Sequence, residues 1–139
     1  LLFPSTGFMS FKKNMLKFVW PNLLLLALVF SSCSKDLPQL EGMDLTSWKN
    51  DKNACSGKRL EMLESVESEK TKLIALSEMD IVALLGKPDQ NELYKRNQKF
   101  YTYFVQPSAA CDTGNTDHPK RLVIRFNAMG LAKEVSVES

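Results

Sequence analysis

Three consecutive segments near the end of the chain decide the fold: LVIRF at 122–126, NAMG at 127–130 and LAKEVSV at 131–137. In the first and third segments, β-branched and aromatic residues alternate with polar ones, which is typical of strands. Gly130 can supply the positive φ that a tight turn between two strands requires. We therefore expect the chain to end in a β-hairpin.

A further strand is predicted at 100–105, where the run FYTYFV is rich in aromatic residues. Residues 92–94, followed by a polar turn at 96–98, indicate one more short strand at the edge. Because short connections join most of these segments, the strands are expected to pair antiparallel. The sequence thus predicts a sheet of three strands, or four with the edge strand.

Two helices are predicted before the strands. Apolar residues recur at helical spacing over 59–76, with charged residues on the other side. A second helix, 78–85, begins after Ser77 with a capping-box pattern and ends at Gly86. Helices followed by antiparallel strands indicate an α+β fold, with two N-terminal helices packed on one face of the sheet.

Alternation along the strands divides the side chains between two faces. The set expected in the core is Phe100, Phe104, Leu122, Ile124, Phe126, Val135 and Val137. Three residues on the other face, Tyr101, Tyr103 and Arg125, are of the types that dominate protein interfaces, so they are candidate partner-binding residues. The alternative is that they fill space under the first helix or the loop around Cys111.

The first 32 residues have the pattern of a signal peptide. Three lysines precede an apolar run at 23–30, which ends in Ser31 and Ser32. The apolar region is too short and interrupted for a permanent spanning helix. Translation is expected to start at Met9 or Met15, so the residues before it need not be native.

Cys33 follows the small residues directly, and Phe30-Ser31-Ser32-Cys33 resembles a bacterial lipobox, in which the cysteine is acylated. The alternative is a stray cysteine in a signal peptide. Because Ser34 and not Asp follows the cysteine, delivery to the outer membrane is expected. Residues 33–50 are then a lipidated cysteine with a flexible linker, and 51–139 form the domain.

Two cysteines remain, Cys55 and Cys111, in a chain expected to work outside the cytoplasm. A structural disulfide between them is the economical interpretation. A redox or metal role is the alternative, although Cys55 has no CxxC partner and the single histidine, His118, has no second ligand at metal spacing.

Charge and motifs narrow the function. Without residues 1–32 the chain carries 15 basic and 16 acidic side chains, so charge gives no reason to bind nucleic acid. A small hydrolase or redox enzyme would need a base beside a nucleophile or a paired acid, and neither GxSxG nor HExxH occurs. We expect no enzymatic activity, no catalytic residue, no metal and no cofactor.

Residues 73–137, with the lipobox in front, resemble the BamE (SmpA/OmlA) domain of outer-membrane lipoproteins. The family's capped helix ending in Leu-Gly-x-Pro resembles 77–88, its aromatic middle strand resembles 101–103, and its closing hairpin resembles 126–131. Ala75 stands where the family usually has Gly, tyrosine replaces the common Trp in the middle strand, and the cysteine pair is additional.

The resemblance implies two helices on a three-stranded sheet and a non-enzymatic role in supporting the assembly of β-barrel proteins. The protein is then expected at the periplasmic face of the outer membrane, held by its acyl chains and bound to the β-barrel assembly machinery. The alternative function is that of a lipid-tethered binder or inhibitor of another envelope protein, and a small periplasmic enzyme is the third.

Overall fold

A computed structural model describes residues 35–112 and 116–139, and one compact unit begins at Leu37. The predicted signal peptide and Cys33 lie outside the described residues.

The described part is α+β, with four α-helices and a four-stranded antiparallel sheet in the order β1-β2-β3-β4. The helices are α1 (Leu45–Asn50), α2 (Lys58–Glu61), α3 (Leu63–Glu69) and α4 (Glu78–Leu85). The strands are β1 (Gln90–Tyr94), β2 (Gln98–Phe104), β3 (Arg121–Phe126) and β4 (Ala132–Glu138). The prediction of an α+β fold is therefore confirmed, and the edge strand at 92–94 is present as part of β1.

The prediction of one continuous amphipathic helix over 59–76 is wrong. The chain forms α2, α3 and a 3₁₀ turn at Lys70–Leu73, with an irregular residue, Met62, between the two helices. Val66 and Leu73 are buried as expected, whereas Leu60 and Ile74 are 39% and 46% exposed. The breaks rotate the apolar stripe, so not every residue on it reaches the core.

Helix α4 begins and ends where the sequence predicts. The Asp80 amide donates to the Ser77 hydroxyl at 3.1 Å, and the Ser77 amide donates to the Asp80 carboxylate at 3.1 Å. This capping box satisfies two amides that the first helical turn cannot. Gly86 ends the helix with φ 82°, a conformation that favours glycine.

The closing hairpin also forms as predicted. Gly130 has φ 75°, and the Asn127 side chain accepts hydrogen bonds from the amides of Met129 and Leu131, both at 3.0 Å. The amide of Glu78 donates to the Gly130 carbonyl at 3.1 Å. The hairpin turn therefore lies beside the start of α4.

The strand register corrects the predicted division of faces. Tyr101 pairs with Ile124, and Tyr103 pairs with Leu122. Residues directly opposite each other share a face, so both tyrosines lie on the face of Leu122 and Ile124. Both tyrosines are buried in the core cluster, at 7% and 0% exposure. Phe104 is also buried, as predicted, but on the other face of the sheet, and Phe100 is only partly buried.

The predicted flexible linker is wrong for most of its length. Residues 37–50, here called the strap, belong to the folded unit and include α1. Leu40 is 7% exposed and Trp48 is fully buried. The few apolar residues of the strap show no sustained period, which is why the sequence predicts a linker. Two of them, Leu40 and Trp48, nevertheless pack in the core.

Cys55 and Cys111 form a disulfide with a Cα–Cα distance of 5.4 Å. It joins the segment after α1 to the loop between β2 and β3. The Ser108 amide also donates to the Asn53 carbonyl at 3.2 Å, so these two segments are held together by hydrogen bonding as well.

Candidate interaction surface

One face of the sheet carries the core side chains that pack against the described helices. On the second face Thr102 and Phe104 are buried, whereas a small aromatic and arginine patch is partly or fully exposed. In this patch Phe100 of β2 is the register partner of Arg125 of β3, and Val123 lies two residues away on β3. Tyr94 of β1 contacts Phe100 edge to face, with ring centroids 6.1 Å apart. We call these four residues, Tyr94, Phe100, Val123 and Arg125, the open-face patch.

Arg125 is held in place on this patch by β4. Its Nε donates to Glu134 Oε2 at 2.9 Å, and its Nη2 lies 2.6 Å from the same oxygen. The two residues are register partners. The pair is partly exposed, so it contributes little to stability but fixes where the guanidinium stands. Of the three predicted partner-binding residues, only Arg125 lies on this second face of the sheet.

Tyr101 and Tyr103 instead join the sheet to the helices. The Tyr103 hydroxyl donates to the Gly86 carbonyl at the end of α4 at 2.8 Å, and the Tyr101 hydroxyl donates to Glu78 at 2.9 Å. Burial raises the pKa of Tyr101 to about 12, reinforced by its hydrogen bond to Glu78. Burial likewise raises the pKa of Tyr103, reinforced by the charges of Tyr101 and Asp89 against the opposing effect of Arg59. Both hydroxyls therefore stay protonated, as donors, at neutral pH.

Glu78 is the centre of a polar cluster between α4 and β2. Lys99 Nζ lies 2.6 Å from Glu78 Oε2, the oxygen that also accepts the Tyr101 hydroxyl. Burial alone would raise the pKa of Glu78, but the hydrogen bonds from Lys99 and Tyr101 and the charge of Lys99 lower it below its usual value. The carboxylate is therefore a fixed anion that links helix and sheet.

The hairpin between β1 and β2 is the most exposed regular segment that the structure describes. All five residues of β1 are exposed, and the 3₁₀ turn Lys95–Asn97 at its tip is exposed as well. Leu93 and Tyr94 are 72% and 62% exposed. Because β1 is an edge strand, its outer backbone groups are available to a partner strand.

Sequence reasoning missed a buried ion pair between Arg59 and Asp89. The side chain of Arg59 is 2% exposed and its Nη1 lies 2.5 Å from Asp89 Oδ2, whose side chain is fully buried. The guanidinium also donates to the carbonyls of Trp48 (2.9 Å) and Phe104 (3.1 Å) and lies 4.9 Å from the centroid of the Trp48 ring. No sequence spacing links residue 59 to residue 89, so no sequence signal could have found this pair.

The carboxylate of Asp89 is equally well partnered. It accepts the amides of Asn53 at 3.0 Å and Phe104 at 2.8 Å. Asp51, also buried, accepts the amides of Ser56 at 2.7 Å and Arg59 at 2.9 Å. The charged groups of this network have their hydrogen-bond partners within it, and the network joins the disulfide region to the sheet. Its role is therefore structural.

Across residues 35–112 and 116–139, no three His, Cys, Asp or Glu side chains are arranged to hold a metal ion. His118 is exposed. No helix among these residues is both long and apolar enough to cross a membrane.

Comparison with protein-family models, curated protein sequences and solved structures finds no match to this chain. The assignment to the BamE family therefore stays a prediction that depends on the quoted motifs.

Proposed function

We propose that the protein is a lipid-anchored, non-enzymatic accessory module of the outer membrane that binds a protein complex of the envelope. The anchor would be Cys33, at the end of the signal-peptide pattern. The observation that carries the binding role is the open-face patch, which presents two aromatic residues and an arginine on the sheet face opposite the core side chains.

The chemistry of the patch suits a protein interface. Aromatic and arginine side chains are enriched in interfaces and supply much of their binding energy. Tyr94 and Phe100 are already packed against each other, and Arg125 is fixed by Glu134. Little side-chain entropy would be lost on binding, which favours affinity. The partner-binding residues are therefore Tyr94, Phe100 and Arg125, in place of the buried Tyr101 and Tyr103.

Support for a role in β-barrel assembly comes from the resemblance to the BamE family. The capped α4 ending in Leu85-Gly86-Lys87-Pro88 and the hairpin around Gly130 are the segments that carry it. Under this proposal the partner is the β-barrel assembly machinery. A tethered binder or inhibitor of another envelope protein is the second candidate, favoured by the exposed β1–β2 hairpin with Leu93 and Tyr94.

The test is a mild-detergent pull-down of the acylated protein from native membranes, with partners identified by mass spectrometry. The double variant Tyr94→Ala with Arg125→Ala should reduce recovery of the partner about tenfold or more, as loss of interface hot spots does. Met79→Ala is the matched control, because Met79 is 83% exposed on α4, outside the patch. Equal losses in both variants would contradict the proposed surface.

The identity of the recovered partner separates the two functions. A β-barrel insertase with its other lipoproteins would support the assembly role. A different envelope protein would support the binder. For the anchor, the intact mass should show acyl chains on Cys33, and Cys33→Ala should remain unprocessed. An unchanged mass and unchanged membrane binding in Cys33→Ala would rule out the anchor.

A further inference from the structure

The distance between the proposed anchor and the folded unit is short. Leu37, four residues after Cys33, already packs against the core, and Leu40 is 7% exposed. Four residues span at most about 14 Å when fully extended. An acylated Cys33 would therefore hold the domain within that distance of the bilayer, in contrast to the long tether that the sequence suggests.

The first residues of the strap are held at a defined place on the folded unit. The Gln39 carbonyl accepts Lys72 Nζ at 3.2 Å, and the Glu41 amide donates to the Glu69 carboxylate at 3.1 Å. A Cβ on Gly42, which has φ 71°, would lie 2.6 Å from the Ser65 hydroxyl, so the strap lies close against α3. The start of the strap is thus fixed to the end of α3 and to the 3₁₀ turn Lys70–Leu73.

The start of the strap lies on the helix layer, near the edge of the sheet opposite β1. The 3₁₀ turn Lys70–Leu73 contacts β4, and the Ala75 amide that follows it donates to the Ala132 carbonyl at 2.8 Å. With the order β1-β2-β3-β4, β1 lies three strand spacings away, about 14 Å. The open-face patch is on the other side of the sheet from the helices.

We infer that, when Cys33 is acylated, the surface formed by residues 37–41 and 67–74 lies against the phospholipid bilayer. We call it the tether face. This inference rests on the acylation in the proposed function and adds an orientation to it. The β1–β2 hairpin and the open-face patch then point away from the lipid, where a protein partner can reach them.

Confinement by the tether, and not charge, is what places the tether face on the membrane. Its two segments contain two lysines and three carboxylates, so their formal charges nearly cancel. Lys70 is paired with Glu67 at 2.8 Å, and Lys72 is paired with Glu69 at 2.5 Å. Attraction to anionic lipid is weak for such a surface. The tether instead raises the effective concentration of this face at the bilayer, and the half-exposed Ile74 is its apolar contact.

The test measures which amides lie near the lipid. The acylated protein, purified from native membranes, is placed in nanodiscs of phosphatidylcholine that contain a lipid with a gadolinium chelate on its headgroup. Amide broadening is then recorded by NMR. Amides in 37–41 and 67–74 should be broadened several-fold more than those in 90–98.

A variant with twelve Gly and Ser residues inserted between Ser34 and Lys35 is the matched control, because it keeps the cysteine and the folded unit. It should lose the difference between the segments. Uniform broadening in the native protein, or stronger broadening at 90–98, would overturn the orientation while leaving the acylation intact. A mass without acyl chains would overturn the proposed function and the orientation together.

Discussion

Arg59 is the residue whose role depends most on the tertiary structure. It is the only described arginine that is buried, and its guanidinium is enclosed by Trp48, Tyr103 and the Asp89 carboxylate. A buried ion pair is expensive to assemble but far more expensive to break, since the remaining charge has no water around it.

Replacing Arg59 by Met should therefore destabilise the domain by about 3–5 kcal/mol. Lys58→Met is the matched control, because Lys58 makes only an exposed pair with Glu61 at 3.4 Å. Its effect should stay below about 0.5 kcal/mol. Urea unfolding of both variants measures the difference, and similar midpoints would mean that the Arg59 pair is not holding the fold together.

Glu78 makes stability depend on pH in a defined direction. Its folded pKa lies below the usual 4.5, so near that pH the unfolded chain binds a proton more readily than the folded one. The stabilisation from Glu78 is therefore present above pH 4.5 and is lost as the pH falls through the lowered folded value.

The variant Glu78→Gln tests this dependence. The stability difference between wild type and variant should be largest near neutral pH and should shrink below pH 4.5. The exposed Glu64, replaced by Gln, is the control. A wild-type advantage that stays constant down to acidic pH would show that Glu78 is not stabilised as an anion.

At the scale of the elements, the connection between the 3₁₀ turn Lys70–Leu73 and α4 contains a strained alanine. Ala75 has φ 68°, in the left-handed region that favours glycine. It is the position at which the resembled family usually has Gly. The backbone is held there because the amide of Ala75 and the carbonyl of Leu76 both hydrogen bond to Ala132 at 2.8 Å.

Ala75→Gly should consequently stabilise the protein by up to about 1 kcal/mol, the relief of strain less the added entropy of the unfolded chain. The same substitution at Ala83, which is exposed within α4, should destabilise by about 0.8–1 kcal/mol. Thermal unfolding of the two variants should give shifts of opposite sign. A loss of stability in both would argue against strain at Ala75.

At the scale of the whole molecule, the strap decides where the folded unit begins. It supplies the fully buried Trp48 and the nearly buried Leu40, and truncating side chains of this kind costs about 3–5 and 2–5 kcal/mol, respectively. Such losses are comparable with the total stability of a small domain.

A chain beginning at Leu37 should therefore unfold at the same urea concentration as the full mature protein. One beginning at Asp51, the boundary expected from sequence, should be largely unfolded, as judged by near-ultraviolet circular dichroism and urea titration. A cooperative transition of unchanged midpoint in the shorter chain would show that the strap is dispensable.

What the sequence could predict was local. The cap at Ser77, the end of α4 at Gly86, the turn at Gly130 and the alternation of β3 all depend on neighbouring residues, and these features are present. The pairing of Cys55 with Cys111 followed from counting cysteines, and the structure contains it. The lipid anchor and the assembly role stay predictions, since they depend on residue 33 and on a partner.

What only the tertiary structure decided was non-local. Strand β2 has aromatic residues on both faces. Alternation alone could therefore not decide whether Tyr101 and Tyr103, or Phe100 and Phe104, lie on the face that packs against the helices. The register with β3 and the hydroxyl partners on α4 made that choice, because a buried hydroxyl needs an acceptor. The burial of Trp48 and the pairing of Arg59 with Asp89 likewise join residues far apart in the chain. Their energy comes from contacts that exist only after folding, and no local pattern records them.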